Sequence, residues 1–311
     1  MTPVRSDVGV RLATIPVMVN LPGLAGSPPA GRCLVMGVVN VTPDSFSDGG
    51  RWFRATAAIE HGLELIAQGA DIVDVGGEST RPGAQRVSAD EELRRVQPVI
   101  TELVKAGAVV SIDTMRAQVA EWAVGAGVRL VNDVSGGLAD PFMPRLVAKA
   151  GVPYVVMHWR GHSHDMYSRA VYADVVREVH DELAQRVDAV TAEGVDPSMI
   201  VLDPGLGFSK NPAAWGPDAH NWQLLAGLPE LATIGGRDFP VLVGASRKRY
   251  LSRLFDAEGA EPRPFLENDA ATAAITALSA AAGAWCVRVH HVPANADAVR
   301  VAAAYRAAAR A

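Results

Sequence analysis

Two sets of side chains in this sequence are suited to act together. Asp113, Asn132 and Asp203 are short acceptors that each close an apolar run, in SID (111–113), VND (131–133) and LDPGLGF (202–208). At the ends of stiff strands they would grip a flat heterocycle by its edge. A carboxylate facing an amino group and a ring N–H makes two charge-assisted hydrogen bonds, worth about 1.5–3 kcal/mol each in a dry site. Arg81, Lys248, Arg288 and His290 form the second set, cationic or able to become so. They suit an anionic substrate or leaving group. A heterocycle bearing a phosphate ester would use both sets, and so would two separate substrates, one flat and one anionic.

These residues recur at one kind of place. Short runs rich in Val and Ile lie at Leu34–Val39, Ile72–Val75, Val109–Ile112, Leu130–Val131, Tyr154–Met157, Ile200–Leu202, Val241–Val243 and Cys286–Val289. They are continuous rather than alternating, as strands covered on both faces are. The stretches between them carry helical periodicity: Ile59, Leu63 and Ile66; Leu93, Val96, Ile100 and Leu103; Val175, Val179, Leu183, Val187 and Val190. Such stripes are core packing. Ser88 is a candidate N-cap, and Asp113-Thr114 leads into a helix expected around Met115–Val124. Eight strand–helix units in one domain close most economically into a (β/α)8 TIM barrel spanning residues 32–311. An open doubly wound sheet is the alternative. It would need a Gly-rich turn after the first strand, and Leu34–Gly50 contains no GxGxxG.

In such a barrel the active site lies at the C-terminal ends of the strands. Those positions hold Asn40, Glu78-Ser79-Thr80-Arg81, Asp113, Asn132-Asp133, His158, Asp203, Ser246-Arg247-Lys248, and Arg288 with His290. The opposite ends show Gly, Ala, Pro and ordinary charges. Asp203 has flanking glycines that permit close ligand approach. Asp113 is also suited to cap the following helix. Of Asn132 and Asp133, the first is expected to face the site and the second to brace the loop, and Asp74 to be a buried structural acceptor. His158, His162 and His164 invite a zinc reading. No cysteine or carboxylate follows at ligand spacing, so they read as solvated loop histidines.

These motifs resemble the dihydropteroate synthases, the folate-pathway enzymes that sulfonamide drugs target. The resemblance rests on MGVVNVTPDSFSDGG (36–50), DIVDVGGESTRPGA (71–84), SIDT (111–114), VNDVSGG (131–137), LDPGLGFSK (202–210), GASRKR (244–249) and RVH (288–290), in the family's order. The Ala-rich sequence is most similar to actinobacterial members. The resemblance implies condensation of 7,8-dihydropterin-6-ylmethyl diphosphate with 4-aminobenzoate, with Mg²⁺ as cofactor. It implies that Asp113, Asn132, Met157, Asp203, Phe208 and Lys248 hold the pterin, with Asp113, Asp203 and Lys248 catalytic. Thr80, Arg81, Pro82, Phe208 and Ser246 would form the aminobenzoate pocket, also open to sulfonamides, and Phe46 with Asp48 would close over it. Asn40 would be the magnesium ligand, and Asn40, Arg81, Arg288 and His290 would bind the diphosphate. A homodimer through the apolar stretches Ala270–Ala282 and Ala296–Ala309 is the family expectation. A dissociative substitution, with no covalent enzyme nucleophile, suits these parts.

Departures from the family pattern are His291, where an acid is more usual, and extended loops at 211–220 and 257–268. A pterin-binding methyltransferase would share the fold but has little need of TPDSFSDGG (42–50) or ESTRPG (78–83). A non-catalytic paralogue would show degraded first and second loops, and both are intact here. The net charge of −5 argues against a nucleic-acid partner. Cys33 and Cys286 match no metal or disulfide framework and read as buried reduced thiols. Residues 1–31 are Pro/Gly-rich and read as an extension and linker. The apolar stretch Gly9–Leu24 is too interrupted to span a membrane or serve as a secretory signal, so a cytoplasmic protein is expected.

Overall fold

The structure, a computed structural model, describes Leu21, Leu24 and residues 31–42, 51–79, 86–162, 168–213, 215–216, 218–255 and 264–309. Eight parallel strands run in the order β6-β5-β4-β3-β2-β1-β10-β9. They are β1 (Leu34–Asn40), β2 (Ile72–Gly76), β3 (Val110–Asp113), β4 (Leu130–Asp133), β5 (Tyr154–Met157), β6 (Ile200–Asp203), β9 (Leu242–Val243) and β10 (Cys286–Val289). The ring closes where Leu202 pairs in parallel with Val241, and the Leu202 amide donates to Pro240 O at 2.9 Å. The intervening β7 (Thr233–Ile234) and β8 (Arg237–Asp238) form a small antiparallel hairpin outside the barrel. The barrel read from the eight apolar runs is the fold observed.

The outer layer is built from α1 (Arg51–Ala67), α2 (Ala89–Lys105), α3 (Ala117–Gly125), α4 (Met143–Ala150), α5 (Val175–Ala192), the short α6 (His220–Ala226), α7 (Leu228–Leu231) and α8 (Arg249–Ser252), then α9 (Asp269–Ala282) and α10 (Val292–Ala308). The stripe Val175, Val179, Leu183, Val187 and Val190 of α5 is buried throughout. Ser88 caps α2 by accepting from the Glu91 amide at 3.2 Å. In α1 the expected face is corrected: Leu63 is 41% and Ile66 36% exposed, while Ala58 and Leu65 are buried. At Gly62 the missing Cβ makes room for Leu103 of α2, and the helix turns the Ala58, Gly62 and Leu65 face inward. The helix after β3 also begins later than expected, at Ala117, whose amide donates to Asp140 rather than to Asp113.

Alternation along each strand separates two layers. Val35, Val73, Val131, Val156 and Leu202 pack outward against the helices. Met36, Ile72, Leu130, Val155, Val201, Leu242 and Cys286 form a separate apolar cluster inside the lower barrel, joined by Leu21, Leu24 and Trp285. Leu21 and Leu24 are 4% and 7% exposed, so the segment expected to be only a linker contributes to this floor.

Candidate active site

Continuing the same inward-facing positions by two residues carries four of the strands from apolar to polar. Ile72 gives way to Asp74, Leu130 to Asn132, Val201 to Asp203 and Cys286 to Arg288. A cavity of about 680 Å³ opens above them. It is lined by Asn40, Asp113, Asn132, Met157, Asp203, Phe208, Ser246, Lys248, Arg288 and His290 among others. The structure therefore brings ten of the sequence-selected residues to one space. Phe46, Asp48, Thr80, Arg81, Pro82 and His164 lie outside the described residues.

Arg288 organises the floor. Its Nε donates to Asp74 Oδ2 at 2.6 Å and its Nη2 to Asp113 Oδ2 at 2.7 Å. Asn132 Nδ2 donates to the same Asp74 oxygen at 3.0 Å. Asp74 is thus the buried acceptor that orients two site residues, as its place inside a strand predicts. Asp113 faces this network, which corrects its alternative reading as a helix cap. Burial raises the Asp113 pKa, and Arg288 opposes that shift. Asp203 is pushed up to about 6 by burial, against the pull of the Gly205 amide, which donates to it at 2.7 Å, and of Lys248. Lys248 is brought down to about 8 by burial and by Arg288, and its Nζ lies 4.0 Å from the centroid of the Phe208 ring. Two buried carboxylates with raised pKa values, beside two partly buried cations, mark a site suited to a polar ligand.

The neighbouring groups sort themselves. Asp133 is wholly occupied by the amides of Ser135 and Gly137 at 2.8 Å each, the Ser135 hydroxyl at 2.6 Å and the Tyr154 hydroxyl at 2.8 Å. It braces the loop while Asn132 faces the barrel. Glu78 pairs with Arg116 and accepts from the Val87 amide, so it ties the second loop's stem rather than lining the cavity. Ser246 Oγ lies 3.0 Å from His290 Nδ1 and accepts from the His290 amide at 3.2 Å. His291, the unusual residue, is exposed at the start of α10. Cys33 and Cys286 are free and buried.

Three readings change. His158 is not solvated: it is 1% exposed and lies between Glu182 and Lys210. The glycines after Asp203 admit protein rather than ligand. A Cβ on Gly205, at φ +67°, would meet His158 O at 2.6 Å, and one on Gly207 would meet Lys248 at 3.0 Å. Lys210, given no role from sequence, lines the cavity and is fully buried. A lysine reads as solvated by default, and no periodicity marks this one as internal.

No group of three or more His, Cys, Asp or Glu able to hold a metal occurs among the described residues. That donor set does not suit a metal held by protein alone. It fits magnesium differently, because Mg²⁺ commonly takes one or two protein oxygens together with substrate phosphates. Asn40 offers an oxygen donor on the wall of the cavity that Arg288 and His290 also line.

Comparison with known proteins agrees with this geometry. Residues 36–290 match the family described as pterin binding enzyme. The chain is 53% identical over 272 residues to the dihydropteroate synthase of Mycobacterium leprae, covering 87% of this chain and 93% of that protein. Among solved structures it resembles Xanthomonas albilineans dihydropteroate synthase with 4-aminobenzoic acid, at TM-score 0.78 and 44% identity, covering 89% of this chain and 94% of that one. It also resembles Yersinia pestis dihydropteroate synthase in a sulfonamide drug complex, at TM-score 0.81 and 36% identity, covering 93% and 99%.

Proposed function

The chain belongs to the dihydropteroate synthases of the pterin-binding enzyme family, and on that premise we propose which of its residues carry the reaction. That reaction joins 7,8-dihydropterin-6-ylmethyl diphosphate to 4-aminobenzoate, giving 7,8-dihydropteroate and diphosphate. Asp113, Asn132, Asp203 and Lys248 hold the pterin edge, with Met157 and Phe208 completing its pocket. Arg288, His290 and Asn40 take the diphosphate, joined by Arg81. Phe208 and Ser246, with Thr80, Arg81 and Pro82, receive 4-aminobenzoate, and sulfonamides compete there. Phe46 and Asp48 close the first loop over it. The observation that carries this reading is the convergence of Asp113, Asn132 and Asp203, from three strands, on one cavity beside Arg288 and Lys248.

The substitution is dissociative. The C–O bond to the exocyclic methylene breaks, and diphosphate leaves with the electron pair. The arylamine nitrogen then bonds to that carbon and gives up one proton to the departing diphosphate. Asp113 and Asp203 set a negative potential where positive charge grows, and they are fixed before the reaction begins. Arg288 and His290 offset charge on the leaving group. Asn40 would hold magnesium, which when bound would supply Lewis-acid chemistry to the leaving group. Exclusion of water protects the cation from hydrolysis.

Asp203→Asn is the test. Loss of its charge should lower kcat about 100-fold, the scale seen when one preorganised electrostatic group is removed. Unchanged turnover and pterin affinity would sink the electrostatic account.

Two coarser features belong to the same proposal. Leu278 on α9 and Val301 and Tyr305 on α10 are 68%, 65% and 59% exposed, which supports a homodimer through these helices. A monomeric mass by light scattering refutes it. Two free, buried thiols accord with a cytoplasmic enzyme.

A further inference from the structure

The loop that follows β6 is tied down along its length, and the centre of the ties is Lys210. Its Nζ lies 3.2 Å from Gly205 O, 2.8 Å from Phe208 O and 3.0 Å from His158 Nδ1. Both carbonyls only accept, so two of the three ammonium protons are committed to them. The third satisfies His158 Nδ1 only if that nitrogen is bare. His158 then carries its proton on Nε2 and donates it to Glu182 Oε2 at 2.8 Å. With Lys210 charged, this is the one protonation pattern of His158 in which every donor meets an acceptor. Arg160 completes the chain outward: it pairs with Glu178 and Glu182 and lies 3.8 Å over the Tyr172 ring. Tyr172 donates its hydroxyl proton to Ser209 O at 2.8 Å, and the Gly207 amide donates to Asn221 Oδ1 at 2.7 Å.

Burial makes this arrangement costly. It lowers Lys210 to about 7 and His158 to about 4. An apolar residue could fill the same space without desolvating a charge. The backbone is also held in unusual conformations, with positive φ at Gly205, Gly207 and Ser209. The loop needs such ties because its next task is to present Phe208 to the cavity, under the Lys248 ammonium.

We infer that Lys210 is a positioning residue of the synthase: its ammonium clamps Gly205 and Phe208 from beneath, with His158 and Glu182 as the clamp's outer half, and so fixes the Phe208 ring for 4-aminobenzoate. Asp113, Asn132 and Asp203 are held by their own strands, so the clamp bears on the pterin only through the Phe208 edge of its pocket and the Gly205 amide, and more weakly than on 4-aminobenzoate. The inference rests on the assignment of Phe208 to the aminobenzoate pocket. A neutral amine has only two N–H donors, so it either releases a carbonyl or forces His158 to move its proton to Nδ1 and give up its donation to Glu182, and the clamp weakens as pH rises through the Lys210 titration. The charged and titratable groups that bear on it are His158, Glu182, Arg160, Asp203, Lys248 and His220.

Steady-state kinetics on Lys210→Met and Phe208→Ala, measured against each substrate and across pH, test it. Lys210→Met should raise KM for 4-aminobenzoate about tenfold and leave KM for the pterin diphosphate within about twofold. The rise of the wild-type aminobenzoate KM with pH should flatten in the variant, a change that a merely structural lysine would not produce. Unchanged KM values with a lowered melting temperature overturn the inference, as does an equal rise in both. If Lys210→Met does not fold, Glu182→Gln decides, since that side chain is 34% exposed. It should raise only the aminobenzoate KM, about threefold, and no change overturns the clamp. If Phe208→Ala leaves the aminobenzoate KM unaltered, the pocket assignment has failed. If it raises that KM and Lys210→Met does not, only the clamp has failed.

Discussion

At the lower end of the barrel the interior is filled by Met36, Ile72, Leu130, Val201 and Cys286, all buried and apolar. Two residues further along the same faces stand Val38, Asp74, Asn132, Asp203 and Arg288. The backbone is the same in both layers, and so is the burial of most of these side chains. What differs is where the partners come from. The lower layer is complete within the chain and owes its stability to burial of apolar area. The upper layer keeps Asp113 and Asp203 under a desolvation penalty that raises their pKa values, with cations close by. On the proposed function its remaining donors and acceptors would come from the substrates. The two layers show one set of strands dividing its work, stability below and a preorganised but unfulfilled site above.

Arg288→Met strikes that division hardest. With Arg288 in its proposed role, this removes diphosphate charge compensation, so kcat/KM for the pterin diphosphate should fall about 1,000-fold, or roughly 4 kcal/mol in the transition state. It also leaves Asp74 and Asp113 without their cation, Asp74 keeping only the Asn132 amide. The arginine is 21% exposed, which puts the stability cost at the low end for a broken buried pair, about 3 kcal/mol. The pH dependence follows from the sign of the shift. Asp113 already has a folded pKa above its unfolded value, and loss of Arg288, which lowers it, raises it further. Stability from such a group is fully present below the unfolded carboxylate range and is lost as pH rises through the folded pKa. The variant's melting temperature should therefore approach the wild type as pH falls from about 8 to about 5. A deficit that stays constant across that range would show that the orphaned carboxylates are not its source.

Much of this division is legible in the sequence, for a physical reason. Barrel strands are covered on both faces, so they read as unbroken apolar runs, and the polar residue that ends each run marks the site. Asp113, Asn132 and Asp203 stand out in this way. What is not legible depends on contacts between distant segments. The face of α1 that turns inward is the one on which Gly62 meets Leu103, so the Leu63 and Ile66 stripe misleads. Closure of the ring rests on a single bridge, Leu202 with Val241, beside the two-residue strand β9. The burial of Lys210 and His158 arises from a loop folding back over β5, and neither residue carries a local signal of it. The TPDSFSDGG and ESTRPG loops are conspicuous as sequence, yet most of both falls outside the described residues.

Leu130→Ala tests the other half of the division. Leu130 is the first residue of β4, fully buried, and lies on the same inward face as Asn132. Truncation should cost about 3 kcal/mol of unfolding free energy, through lost transfer energy and the cavity left behind. Chemical denaturation should report this as a lower midpoint with an unchanged slope. If the layers are independent, KM for both substrates stays within about twofold, because sites that share no partner add without coupling. The route by which they could couple is specific. Asn132 reaches Asp74 at 3.0 Å, and Asp74 holds Arg288, so relaxation of β4 into the cavity would move that hydrogen bond first. A selective rise in KM for the pterin diphosphate would then mean that the apolar floor also sets the register of the site above it.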